Sequence, residues 1–137
     1  MTAITAPAPT TASRARNVGL WTLQVLLAAV YAFSAFLKLT ADPQNVAGFQ
    51  AMGLGNAGMY VIGSLELAGA IAMFIPRLTG LAALCFVALM IGAVIITWAM
   101  IGGGVLVAIP ATVGVVAAIV AWGRRDSTRR LVAQLRR

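Results

Sequence analysis

Four long apolar stretches, at residues 18–39, 58–75, 78–101 and 105–122, constrain this chain more than any other feature. They contain 22, 18, 24 and 18 residues, and about 20 apolar residues carry an α-helix across a hydrocarbon core of about 30 Å. A membrane barrel would instead show alternating segments of about ten residues. Composition points the same way, with 61% hydrophobic and 9% charged residues, against about 25% charged in soluble domains. A chain of 137 residues has too much surface for its volume to hide that apolar content from water. A soluble globular domain is excluded. The expected fold class is all-α, an integral membrane four-helix bundle. Ile75-Pro76-Arg77 and Gly102-Gly103-Gly104 are turn signals too short for anything but antiparallel hairpins.

The chain divides into three expected parts. Residues 1–17 are rich in Ala, Thr and Pro without apolar periodicity and read as a disordered tail. Residues 18–122 form the four-span membrane domain, its first run too long for a cleaved signal peptide. Residues 123–137 form a basic tail with Leu131, Val132 and Leu135 on one helical side, suited to lying on a membrane surface. Within the domain, the connection at residues 40–57 contains Asp42-Pro43, an N-cap followed by proline at the first helical position. Phe49 and Met52 follow before Gly53 and Gly55, so a short amphipathic interfacial helix is expected between spans one and two.

Charge sets the expected orientation. The net charge is +7, and its arginines border the spans, so anionic lipid headgroups explain it better than nucleic acid. Arg14, Arg16, Arg77 and the six tail arginines fall on one side of the predicted spans, and Lys38 alone on the other. Basic residues accumulate on the cytoplasmic side, which predicts a multi-pass plasma-membrane protein with both termini cytoplasmic. Trp21, Trp98 and Trp122 lie near span ends, as belt aromatics do. Nine arginines beside one lysine, with abundant Ala, Val and Gly, suggest a bacterial inner membrane.

Several chemistries are absent from the sequence. Without histidine, Ser-His catalysis, His-zinc sites and His-ligated haem are excluded. Cys85 is the single cysteine, so no internal disulfide or CxxC pair can form, and its apolar neighbours predict a buried, inert thiol. Three acids, Asp42, Glu66 and Asp126, do not make a carboxylate metal cage. No metal, haem or catalytic turnover is expected of the isolated chain. Glu66 is the exception to the apolar pattern. It lies mid-span, about 12 Å from either face at 1.5 Å per residue, where a carboxylate costs about 2.5–3.5 kcal/mol on insertion scales. Either function or a structural ion pair would account for it. Gly63, Gly69 and Ala70 share its face and admit a close neighbour. Span one carries a polar stripe of Gln24, Tyr31, Ser34 and Lys38, and these four with Glu66 form the candidate intramembrane site. Ala88 with Gly92, and Gly114 with Ala118, read as helix-packing contacts, and Pro110 as a kink.

Phe33-Ser34-Ala35-Phe36-Leu37-Lys38-Leu39 and Ile62-Gly63-Ser64-Leu65-Glu66-Leu67-Ala68-Gly69, followed by Pro76-Arg77, Ala88–Ala93 and Pro110, resemble the DoxX-like family of small membrane proteins over residues 20–123. The resemblance implies a four-helix membrane fold with Lys38 and Glu66 as signature charges. Some members are subunits linked to thiosulfate oxidation with quinone as acceptor, and others occur beside superoxide dismutase and sulfurtransferase. The leading expectation is therefore a non-catalytic membrane subunit or scaffold of a quinone-linked redox system, docking a soluble or membrane redox partner. The alternatives are a small proton- or cation-coupled transporter using Glu66, or a membrane-protein assembly factor. Small multidrug transporters also have four helices, but their glutamate is on the first span and their loop charge is nearly balanced.

Overall fold

The computed structural model describes residues 10–136. These form six helices and no strand: α1 (Thr11–Leu39), α2 (Pro43–Ala51), α3 (Gly55–Ala72), α4 (Thr79–Ile101), α5 (Val105–Gly123) and α6 (Arg125–Leu135). Three of them, α1, α4 over Thr79–Met100 and α5, are long and apolar enough to cross a membrane. α3, which carries Asn56 and Glu66, is not among the three.

The helix ends differ from the apolar runs for local reasons. The tail expected over residues 1–17 is already helical from Thr11, and residues 1–9 lie outside the described residues. Thr10 provides the start, with extended backbone and a hydroxyl accepting from Ser13 N–H at 3.4 Å. Apolar periodicity cannot register such a polar first turn, which capping rather than burial initiates. α3 stops at Ala72, although the apolar run continues to Ile75. Phe74 and Ile75 donate to Ile71 and Ala72 carbonyls at 3.1 Å each, a tightened turn whose side chains are apolar and exposed. The 40–57 connection holds α2, where the Asp42 carboxylate accepts from Gln44 and Asn45 N–H at 3.2 and 3.4 Å and Phe49 is buried.

Between α4 and α5 the chain reverses through three consecutive glycines with φ of +77°, +103° and +98°. Gly102 takes the left-handed cap position, its N–H bonded to Trp98 O at 2.8 Å. A Cβ would strain all three positions. Pro110 is accommodated inside a continuous α5.

α1 packs mainly on α3 and α4 on α5, and these pairs meet through α1–α5 and α3–α4 contacts. The common core includes Leu27, Tyr31, Ala70, Met73, Ala83, Phe86, Ala117 and Val120, drawn from all four long helices and the turn after α3. Outside it, Val18, Phe33, Ile71, Ile95, Ile109 and Ile119 are among many large apolar side chains left exposed. Continuous apolar surface around a small core is what a lipid solvent requires.

Two close-packing expectations need correction. A Cβ on Gly92 would meet nothing within 4 Å, so Gly92 borders open space rather than a helix. In α5, a Cβ on Gly114 would stand 3.1 Å from Met90 Cβ, but the buried alanines of that helix are Ala117 and Ala121, with Ala118 exposed. Spacing identifies small residues without showing which face a neighbouring helix covers.

Candidate functional site

The last turn of α1 presents Lys38, a placement the negative end of the helix dipole favours. Its ammonium turns back along its own helix to Ser34 Oγ at 2.6 Å and across to Glu66 of α3, reaching Oε2 at 3.0 Å and Oε1 at 3.2 Å. Three N–H donors thus meet three acceptors. The side chains are 12% and 5% exposed, so the pair is held away from bulk solvent. Gly63, one turn before Glu66 on α3, is what lets the helices come together. A Cβ there would stand 2.9 Å from Lys38 Cβ. By helical rise alone the two charges lie at different depths, and the length of the lysine stem bridges that difference.

Tyr31 lies two turns from Lys38 on α1, buried, with its ring stacked on Phe86 of α4 at 3.6 Å between centroids and 4° between planes. Its hydroxyl is 3.5 Å from Phe86 O, a long bond. Gly69 completes this contact, because a Cβ there would come within 2.5 Å of Phe86 Cε1.

Gln24 is not part of this cluster. Fourteen residues before Lys38, it shares the α1 face but sits about 21 Å away at 1.5 Å per residue. Its Nε2 donates to Met73 O at 3.0 Å, and its Oε1 accepts from Arg124 Nε at 2.7 Å. Thr79 Oγ1 donates to the same Met73 carbonyl at 3.2 Å. This second network ties α1 to the α3–α4 turn and to the α5–α6 junction. Sequence reasoning passed over Arg124 and Thr79. The available signal was a glutamine too deep in an apolar run to remain without partners.

The Lys38–Glu66–Ser34 cluster borders a cavity of about 950 Å³. Tyr31, Phe49, Met52 and Gly69 contribute to its wall, which continues along α4 past Cys85, Ala88 and Gly92 to Pro110 of α5. The wall is overwhelmingly apolar, with the ion pair and Ser34 forming its main polar feature. Cys85 lines this space and is exposed, correcting the expectation of a buried thiol. A run that is apolar on every side gives no sign of which residue faces the core.

Among the described residues no group of three or more His, Cys, Asp or Glu side chains could hold a metal ion. The arrangement offers a buried charge pair and one hydroxyl at the margin of a large apolar space, which suits an amphipathic ligand with an oxygen-bearing head and a hydrocarbon tail. Neither the curated proteins nor the solved structures contain a match to this chain. The model of the DoxX-like family matches residues 22–120, which take in α2, α3 and α4, nearly all of α5 and most of α1, Lys38 and Glu66 included. This chain belongs to the DoxX-like family.

Proposed function

We propose that this protein is a non-catalytic membrane subunit or scaffold of a redox system, holding a quinone-type ligand beside Lys38, Ser34 and Glu66. The observation that carries the reading is the buried ion pair opening onto an apolar cavity of about 950 Å³. The donor set fits a quinone head. Ser34 Oγ accepts from Lys38 and keeps its own proton, which has no acceptor among the described residues and is free to donate to a ring carbonyl. The ammonium adds positive potential at the same oxygen. The wall along α3 and α4 would take an isoprenoid tail, and Tyr31 would position the ring edge. A bound quinone would supply electron acceptance, while the residues of this chain bind it, orient it and keep water away. A cation-coupled transporter is less favoured, since Lys38 already occupies both carboxylate oxygens of Glu66.

Extraction of the protein purified in mild detergent is expected to recover quinone near stoichiometric amounts, and Lys38→Met is expected to lower that yield severalfold. Quinone at background in the unaltered protein would overturn the reading, and co-purification of a client membrane protein in its place would favour the assembly role.

In the same reading α1, α3, α4 and α5 form an antiparallel four-helix bundle in a bacterial inner membrane, both termini cytoplasmic. Its support is the order of contacts. Lys38, late in α1, meets Glu66 of α3, whereas Gln24, early in α1, meets Met73 just beyond the end of α3. Arg16, Arg77, Arg124 and Arg130 also gather around one cavity, remote from Lys38. Pairing Glu66 with Lys38 makes α3 acceptable as a span, because a compensated charge costs less in the bilayer than a lone one. Thr5→Cys and Leu135→Cys, each on a Cys85→Ser background, should resist an impermeant maleimide in intact cells. Labelling of either from outside would refute this topology.

A further inference from the structure

We propose that the basic end of the molecule holds a discrete site for a phosphate group, built from Arg16, Arg77, Arg124 and Arg130 around a polar cavity of about 580 Å³. This site is separate from the one beside Glu66 and does not depend on the redox reading. Four separate segments bring these arginines together: the first turns of α1, the α3–α4 turn, the α5–α6 junction and α6 itself. Asp126 is the one carboxylate on the wall. None of the four guanidinium groups is salt-bridged to a carboxylate among the described residues, where the one such pair is Lys38–Glu66. Four cations converging on one cavity with a single carboxylate, Asp126, on its wall leave an excess of positive charge, and an anion seated among them relieves their repulsion.

Arg124 gives the site its geometry. Its Nε is fixed to Gln24 Oε1 at 2.7 Å, and its guanidinium carbon lies 5.7 Å from the centre of the Trp21 ring. Its Nη2 is buried without a hydrogen-bond partner in the structure. A buried, unsatisfied guanidinium nitrogen is costly and calls for an acceptor. Burial also pulls the Arg124 pKa below its ordinary value, an effect that a bound anion would oppose. Phosphate is the chemical class that fits, since its oxygens pair with guanidinium N–H groups in parallel. The same group is carried by an anionic phospholipid headgroup and by free phosphate. Unlike diffuse attraction of a basic tail to a membrane surface, a built site discriminates among the arginines.

The test follows Trp21 fluorescence, which reports on the cavity wall, in the full chain carrying Trp98→Phe and Trp122→Phe and purified in a neutral detergent. One arm adds dioctanoyl phosphatidylglycerol against dioctanoyl phosphatidylcholine. The other adds inorganic phosphate against chloride at matched ionic strength. Saturable binding is expected in at least one arm. A phosphatidylglycerol response alone identifies a lipid site, and a response to inorganic phosphate identifies a site for the free anion. Arg124→Gln should weaken the affinity by about tenfold, the loss of one charge-assisted bond. Arg77→Gln, on an exposed turn where refolding is undisturbed, should weaken it severalfold at unchanged melting temperature. Arg129→Gln, exposed on α6 and outside the cavity, should change it less than about twofold. Saturation in neither arm would overturn the proposal. Equal losses from Arg77→Gln and Arg129→Gln would overturn it too, leaving only general attraction to the basic surface.

Discussion

Removing one partner of the Lys38–Glu66 pair is expected to destabilise the protein by about 3–5 kcal/mol, and removing both by less than either single change. The pair is nearly closed to solvent and the ammonium has every donor engaged. Lys38→Met leaves the carboxylate of Glu66 with no cation in a low-dielectric surround. Glu66→Leu leaves the ammonium only Ser34 as partner. Either stranded charge bears its desolvation cost alone. The double variant replaces two charges with apolar side chains of similar length, a change that is often neutral or stabilising in buried pairs. Thermal unfolding in detergent across the four proteins measures the coupling. Strictly additive losses would show that the two charges do not stabilise each other, leaving Lys38 to interact with Ser34 and the interface.

The second large effect is expected at the aromatic contact between α1, α3 and α4. Phe86 is fully buried and stacked on Tyr31, and Phe86→Ala should cost about 3–5 kcal/mol through lost burial and the void left behind. Gly69 faces the same ring at a distance that leaves no space for a methyl group, so Gly69→Ala should cost about 1–3 kcal/mol by overpacking. The two changes should not add. In the Phe86→Ala background the new methyl enters the vacated space, and Gly69→Ala becomes neutral or favourable. Unfolding in detergent of the single and double variants checks this, and an undiminished penalty for Gly69→Ala beside Ala at position 86 would refute the contact.

Both predictions concern residues that the sequence marked unequally. Glu66 was legible because a carboxylate in the middle of an apolar run violates the rule its neighbours obey, and Lys38 because it is the one lysine at the end of such a run. Phe86 was not legible. An aromatic residue within 23 residues of apolar helix has no polar contrast to show which way it faces. The same uniformity misplaced Cys85 and Gly92, expected in contacts and found beside open space. Gln24 was singled out as an unusual residue, but its grouping with Lys38 followed helical face and ignored depth. Its partners, Met73 and Arg124, lie 49 and 100 residues away in the chain, and no local pattern encodes such a meeting.

The sequence by itself determined the solvent, the helical class and the approximate helix limits, since apolar content, run length and turn residues are local quantities that a bilayer interprets without tertiary help. It also selected the two charges of the candidate site, because a charge among apolar residues must find a partner. Only the tertiary structure decided that Lys38 reaches Glu66 directly, that the pair opens on an apolar cavity, and that four arginines from separate segments surround another. Those outcomes depend on which helix faces are covered and at what depth. In lipid, where apolar side chains are tolerated on every side, close packing at Gly63, Gly69 and Gly114 and the need to satisfy polar groups decide it, not hydrophobic contrast.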